Sequence, residues 1–161
     1  MQVQSYKTTF NLQVFLKYFF EMEENNKRSD CPISGSLDIW GDKWSLLIVR
    51  DLMMKNQCTY GDFQKSDEGI ATNILASRLK GLTENGIIEK LQHPESKAKV
   101  LYQLTEKGID LLPIMAEINI WMDKYYNIPP ERKDELKALK KDKEGFIKES
   151  KKTLKKMLIT K

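Results

Sequence analysis

I-A-T-N-I-L-A-S-R-L-K-G-L-T-E-N-G, residues 70 to 86, is the stretch that decides the fold. Ile74, Leu75, Leu79 and Leu82 recur at the spacing that gathers apolar side chains on one face of a helix, and Asn73, Ser77, Lys80 and Glu84 fall opposite them. The open face offers small hydrogen-bonding groups near its N-terminus and cations further along. That sequence of groups suits insertion into a DNA major groove. Asn85-Gly86 ends the helix, because glycine takes the left-handed conformation that closes one. An ordinary amphipathic surface helix would read the same way in isolation, so the neighbours carry the argument.

Upstream, Thr59-Tyr60-Gly61-Asp62-Phe63 reads as a short helix with Thr59 as its cap and Tyr60 and Phe63 on one face. The polar, Gly-containing link Ser66 to Gly69 joins it to the first stretch, giving helix, turn, helix. Downstream, Ile87 to Leu91 alternates as a strand, His93 to Ala98 reads as a polar turn, and Lys99 to Leu104 alternates again. A β-hairpin appended to a helix-turn-helix is a winged helix. The tip of the wing carries Lys97 and Lys99, with Lys90 at its base, suited to lie along phosphates. The fold class is therefore mainly α with a small β-hairpin wing, an α+β arrangement.

Before the positioning helix, Cys31-Pro32 opens the compact part and Ser36 to Trp40 forms a short helix that Gly41 stops. Asp42 reads as the N-cap of a second helix, Lys43 to Lys55, with Trp44, Leu47, Ile48, Leu52 and Met53 at core spacing. Trp40 and Trp44 stand among aliphatics and read as core packing, not as a stacking platform for bases.

Thr105-Glu106 starts a long apolar helix through Leu111, Leu112, Ile114, Met115, Ile118, Trp121 and Met122 to Tyr126, in which Pro113 should produce a kink. It is either a buried core helix or a dimer seam. A winged-helix body has little room to hide this much surface, which favours the seam, with Leu111, Leu112, Met115, Ile118, Trp121 and Met122 as the interface.

The chain divides into an N-terminal extension at 1–30, a winged-helix domain at 31–128 that includes the dimerisation helix 105–126, and a Lys-rich C-terminal extension at 129–161. The N-terminal part holds an apolar run, Phe10 to Phe20, well short of the ~20 residues a membrane span needs. It is an extra helix packing its aromatics, or residues upstream of a true start at Met22. Ile128-Pro129-Pro130 is a linker, and beyond it a broken apolar stripe runs among lysines, weakened by Gly145. That tail reads as a solvated helix or frayed end, or as a basic arm, with a membrane-surface helix as a third option that the thin, interrupted stripe disfavours.

With 161 residues and 40% hydrophobic composition the chain can bury a core without staples. The two cysteines, Cys31 and Cys58, are too few for a disulfide scaffold, and the absence of an export signal points to a reducing cytoplasm. The net charge of +4 is uneven, because residues from Pro129 onward hold 12 Lys/Arg against 6 Asp/Glu. A mildly acidic body does not exclude DNA, since affinity follows the local basic patch. Enzyme chemistry fares badly. The single histidine, His93, lies in the wing turn, and there is no spaced metal set, no phosphate-cradling glycine loop and no nucleophile with a visible base. Neither a metal nor a cofactor is expected.

C-P-I-S-G-S-L-D-I-W-G-D-K-W-S-L-L-I-V-R-D-L at 31 to 52, T-Y-G-D-F-Q-K at 59 to 65, the stretch from Ile70 to Ile88, and V-L-Y-Q-L-T-E-K-G at 100 to 108 together resemble the HxlR family of bacterial winged helix-turn-helix regulators, relatives of the MarR group. The resemblance covers roughly residues 31 to 126. It implies a homodimeric transcription factor with one recognition helix per subunit on a pseudo-palindromic operator in double-stranded DNA. Thr72, Asn73, Ser77, Arg78 and Lys80 match the recognition helix, and Lys99 stands where the family often has a basic wing residue. Cys31 matches an N-terminal C-P cysteine that several members use to sense electrophiles or oxidants, although Ser34 stands where an acidic residue commonly follows. A buried structural cysteine is the competing reading of Cys31, and a small-molecule effector is a further expected partner.

Physical chemistry gives these residues different tasks. Asn73 can pair both hydrogen-bonding groups of an adenine edge and Ser77 can meet a base or a phosphate, so both are specificity candidates. Arg78 sits towards the buried side and either bridges to a carboxylate or reaches a phosphate. Lys80, Lys97 and Lys99 should supply sequence-independent affinity that decays with salt. Thr59 and Tyr60 are candidates for phosphate contact, although capping suffices for Thr59. The alternative to a regulator is a winged-helix module that binds protein without sequence-specific DNA recognition.

Overall fold

Asp42, Thr59, Thr105 and Asp142 each turn the chain into a helix, and their side chains set the element boundaries. A computed structural model of the chain describes residues 30–158. The elements are α1 (Pro32–Trp40), α2 (Lys43–Lys55), β1 (Gln57–Thr59), α3 (Tyr60–Gln64), α4 (Thr72–Glu84), β2 (Ile88–His93), β3 (Ser96–Leu104), α5 (Glu106–Ile109), α6 (Leu112–Tyr125), α7 (Pro130–Lys141) and α8 (Lys143–Met157). Among the described residues, those up to Gly35 belong to one unit and those from Ser36 onward to a second. The expected N-terminal helix at 1–30 and the question of a start at Met22 lie outside the described residues.

Asp42 accepts hydrogen bonds from the Trp44 and Ser45 amides at 3.0 and 3.2 Å, so α2 starts where a cap was expected. Ile48, Val49 and Leu52 of α2 pack with Leu75, Leu79 and Leu82 of α4, with Phe63, and with Ile87, Ile88 and Leu104 in the main core. Trp40 packs against this core from its edge, whereas Trp44 is half-buried under the Lys43 ammonium, 4.2 Å from the ring centre. The first helix departs from expectation by beginning at Pro32 and not at Ser36. Proline suits the first turn of a helix, where its missing N–H has no partner to lose.

The sheet has three strands, not the two of a simple hairpin, in the order β1-β3-β2, all antiparallel. β1 pairs Gln57, Cys58 and Thr59 with Gln103, Tyr102 and Leu101. The wing turn is tighter than the six-residue turn expected, since His93 already pairs with Ser96, and the register shifts between Gln92 and His93. His93 Nδ1 accepts the Glu95 amide at 3.1 Å, which ties the turn.

The helix after the wing is broken, not kinked. Thr105 caps the four-residue α5, and the chain turns at Asp110-Leu111 before α6 begins, with Pro113 in its first turn. Proline there removes no helical hydrogen bond, so Pro113 marks a start and not a bend. Gly108 lies so close to the sheet that an alanine methyl would stand 2.2 Å from the Ile87 carbonyl oxygen. Gly108→Ala is therefore expected to lower the unfolding free energy by about 1–3 kcal/mol, as overpacking does, read from the midpoint of a urea titration.

The Lys-rich tail is helical with its lysine face exposed, but it is neither frayed nor a loose arm. It breaks at Asp142, which caps α8 through the Gly145 amide at 2.9 Å, and α7 and α8 fold back on the body. Leu154 enters the main core, while Leu136 and Leu139 meet Ala116 in a second cluster with Ile120, Ile128 and Ile147. Four lysines of the tail pair with carboxylates before it, Lys140 with Asp123, Lys143 with Glu117, Lys151 with Asp110 and Lys155 with Glu106. The surplus positive charge of the tail thus faces the acidity of α5 and α6.

Candidate nucleic-acid interface

The helix α4, expected to read DNA, is positioned by four separate devices. At its C-terminal end, Gly86 adopts φ +65°, its amide bonds the Thr83 carbonyl at 3.0 Å, and the Ile87 amide bonds the Leu82 carbonyl at 2.9 Å. This pair of bonds closes the helix and feeds the chain into β2. In front of α4, Arg50 reaches from α2 to Glu68 at 2.7 Å and to the buried Asp51 at 2.7 Å, pinning the turn that contains Gly69 at φ +67°. The Tyr60 hydroxyl donates to the Thr72 carbonyl at 2.8 Å, tying α3 to the first turn of α4. Arg78 Nε donates to Asp42 Oδ1 at 3.0 Å, tying the second turn to the start of α2.

Of the two roles open to Arg78, the bridge to a carboxylate is the one present. Burial raises the pKa of Asp42, but the Ser45 hydroxyl and amide, the Arg78 charge and the Trp44 amide outweigh it and hold the carboxyl below its ordinary value. The Asp42 carboxyl is therefore ionised at neutral pH. Asp42 is the partner that a reading of α4 alone misses, since the helical phase of Arg78 leaves a carboxylate bridge and a phosphate contact equally open.

The outer face of α4 presents Thr72, Asn73, Ser77 and Lys80, all exposed. Lys80 makes only a solvated pair with Glu84 at 3.7 Å, which leaves its ammonium available. Lys97 and Lys99 are exposed on β3, as is Lys90 on β2. Thr59 and Tyr60 have internal tasks. Thr59 forms a reciprocal capping box with Asp62, whose carboxylate takes the Thr59 amide and hydroxyl at 2.7 Å each. These hydrogen bonds hold the Asp62 carboxyl below its ordinary value despite some burial.

The cysteines differ sharply. Cys58 is 1% exposed on β1, and burial pushes its thiol up to about 11, so it stays protonated and unreactive. Cys31 is exposed immediately before α1, which removes the reading of it as a buried packing residue.

On α6 the expected seam residues separate into two groups. Leu111 is a correction, since it is 7% exposed inside the main core of its own chain and has no surface for a partner. Leu112 and Met115 are half-buried, whereas Ile118, Trp121 and Met122 are exposed. Tyr125 and Tyr126 extend the same patch, their rings 5.4 and 5.7 Å from that of Trp121. The opposite side of α6 is covered by α7 and α8, so one apolar face of the helix remains open.

Among the described residues no three His, Cys, Asp or Glu side chains gather as a metal site, and no helix is long and apolar enough to cross a membrane. Residues 39–129 match the sequence model of the HxlR-like helix-turn-helix family. The HTH-type transcriptional regulator YodB of Bacillus subtilis is 32% identical over 96 residues, covering 59% of this chain and 85% of that protein. Among solved structures, PA1607, a candidate transcription factor, is 41% identical with a TM-score of 0.57, covering 65% of this chain and 71% of that one. The redox regulator HypR in its oxidised form is 26% identical with a TM-score of 0.54, covering 61% of this chain and all, 100%, of that one. With the match spanning the helix-turn-helix, the wing and α6, the chain belongs to the HxlR-like helix-turn-helix family and is a transcriptional regulator of that type.

Proposed function

We propose that the chain works in the bacterial cytoplasm as a homodimer on a pseudo-palindromic operator, with one α4 from each subunit in the major groove. The observation that carries this reading is the open face of α4, where Thr72, Asn73, Ser77 and Lys80 all point away from the core while three tethers fix the helix beneath them. Asn73 and Ser77 read base edges. Lys80, Lys97 and Lys99 neutralise phosphates and set the salt dependence. Arg78 serves the interface indirectly, through Asp42.

The apolar patch of Ile118, Trp121, Met122, Tyr125 and Tyr126 is the centre of the dimer seam, with Leu112 and Met115 at its margin. Exposed aromatics in contact with one another are what an interface centre presents before it closes. DNA affinity answers to a signal, an oxidant or electrophile acting through Cys31. Its exposure supports this, as does the similarity to HypR, a redox regulator, and to YodB, whose quinone-bound form has been solved.

The test is a fluorescence-anisotropy titration against duplexes tiled from the protein's own upstream intergenic region, with scrambled duplex as competitor. A preference of about 10³-fold or more for one duplex is expected. A mild oxidant should weaken that binding in the wild type and leave Cys31→Ser unaffected. Equal weak binding to every duplex would defeat the operator reading, and an equal oxidant response in Cys31→Ser would remove the cysteine from it.

A further inference from the structure

A groove of about 560 Å³ runs between the first turn of α3 and the outer half of β3, and no α4 residue lines it. Tyr102, Val100 and Ala98 form one wall, Tyr60 and Gly61 the other, and Lys65, Lys99 and His93 lie along it. Tyr102 is only 8% exposed, yet its hydroxyl makes no hydrogen bond among the described residues. No fully buried side-chain polar atom lacks a partner among them, so this hydroxyl keeps some contact with solvent, and Tyr102 lines the groove. A largely buried phenol with an unused hydroxyl, facing a cleft bordered by cations, is an arrangement that binds an oxyanion.

The other polar groups are already committed. Tyr60 donates to the Thr72 carbonyl, Thr59 and Asp62 hold each other, and His93 Nδ1 takes the Glu95 amide. Asp62 is the one carboxylate on the groove, and its Oδ2 is occupied by Thr59. Burial, with a lesser contribution from Tyr60, raises the pKa of Tyr102, so its hydroxyl remains a donor at neutral pH.

We propose that this groove seats a phosphodiester of the operator backbone, with the Tyr102 hydroxyl donating to a phosphate oxygen and Lys65 supplying the charge. The inference rests on the DNA-binding reading above and adds two residues that the sequence did not single out. It also gives the wing a second role. The strand that carries Lys97 and Lys99 to the tip forms, three residues from Lys99, one wall of a seat in which the same DNA strand is gripped against α3.

Tyr102→Phe removes the donor without charge or volume, and Lys65→Gln removes one exposed cation. Tyr102→Phe should weaken operator and scrambled duplex alike by about tenfold, with the slope of log affinity against log salt unchanged. Lys65→Gln, present twice in the dimer, should reduce that slope by about 1.8. Thermal midpoints should not fall, since neither group is hydrogen-bonded or ion-paired among the described residues. Unchanged duplex affinity in Tyr102→Phe together with an unchanged slope in Lys65→Gln overturns the groove and leaves the DNA reading standing. Failure of the wild type to bind any duplex overturns both. Inorganic phosphate at constant ionic strength distinguishes the source of the oxyanion. Millimolar phosphate should not displace the duplex, and tight phosphate binding that Tyr102→Phe abolishes, without loss of duplex affinity, would assign the seat to a free anion and overturn the proposal.

Discussion

Replacing Lys80, Lys97 and Lys99 together by Glu is expected to abolish duplex binding, a loss on the order of 10³-fold or more at moderate salt. Each substitution removes a cation whose docking releases counterions and sets an anion against the phosphates. In a dimer each is made twice. The slope of log affinity against log salt should flatten by about 0.9 for each phosphate that is no longer neutralised. Folding should survive, because all three side chains are exposed and Lys80 gives up only its solvated pair with Glu84. Circular dichroism and the urea midpoint check that condition. A triple variant that folds normally and still prefers the operator would remove the DNA face from these residues.

The second large effect is expected at Trp121. Its side chain is 55% exposed on α6 and touches the rings of Tyr125 and Tyr126, so it is the natural anchor of the proposed seam. Trp121→Asp places a charge at the centre of a self-complementary interface, where two-fold symmetry brings it in twice. Truncating an interface anchor commonly costs 2 kcal/mol or more, about thirtyfold in affinity, and doubling takes the dimer constant up by roughly 10³-fold. Sedimentation should then give a monomer at concentrations where the wild type is a dimer, with operator affinity falling alongside. Leu111→Ala gives the contrast. That residue lies in the core, so its truncation should lower stability by about 2–5 kcal/mol through a cavity and leave association of the folded chain unchanged.

Much of this arrangement is legible in the sequence because local rules suffice for it. The boundaries of α2 and α4 follow from Asp42, the spacing of Ile48 and Leu52, and Asn85-Gly86, each of which acts within a turn of the chain. The exposed face of α4 follows from the same periodicity. β1 escapes because three residues cannot display alternation, and its partner in β3 lies more than forty positions away. The break at Asp110-Leu111 escapes because apolar spacing continues through it, while Gly108 and Thr105 fix the turn by their approach to Ile87 across the chain. The packing of α8 is hidden for a similar reason. A stripe of lysines reads as solvated until Glu106, Asp110, Glu117 and Asp123 are seen opposite it. At the site, Asn73, Ser77 and Lys80 could be named from helical phase, but the acceptor of Arg78 and the groove at Tyr102 are tertiary facts.

That two copies of α4 read two half-sites is tested most directly by hydroxyl-radical footprinting of the preferred duplex. Two protected stretches related by a dyad are expected, their centres about 10 base pairs or a multiple of that apart, as successive major grooves on one side of the duplex require. A single protected stretch without a symmetric mate, produced by a folded dimeric protein, would contradict it.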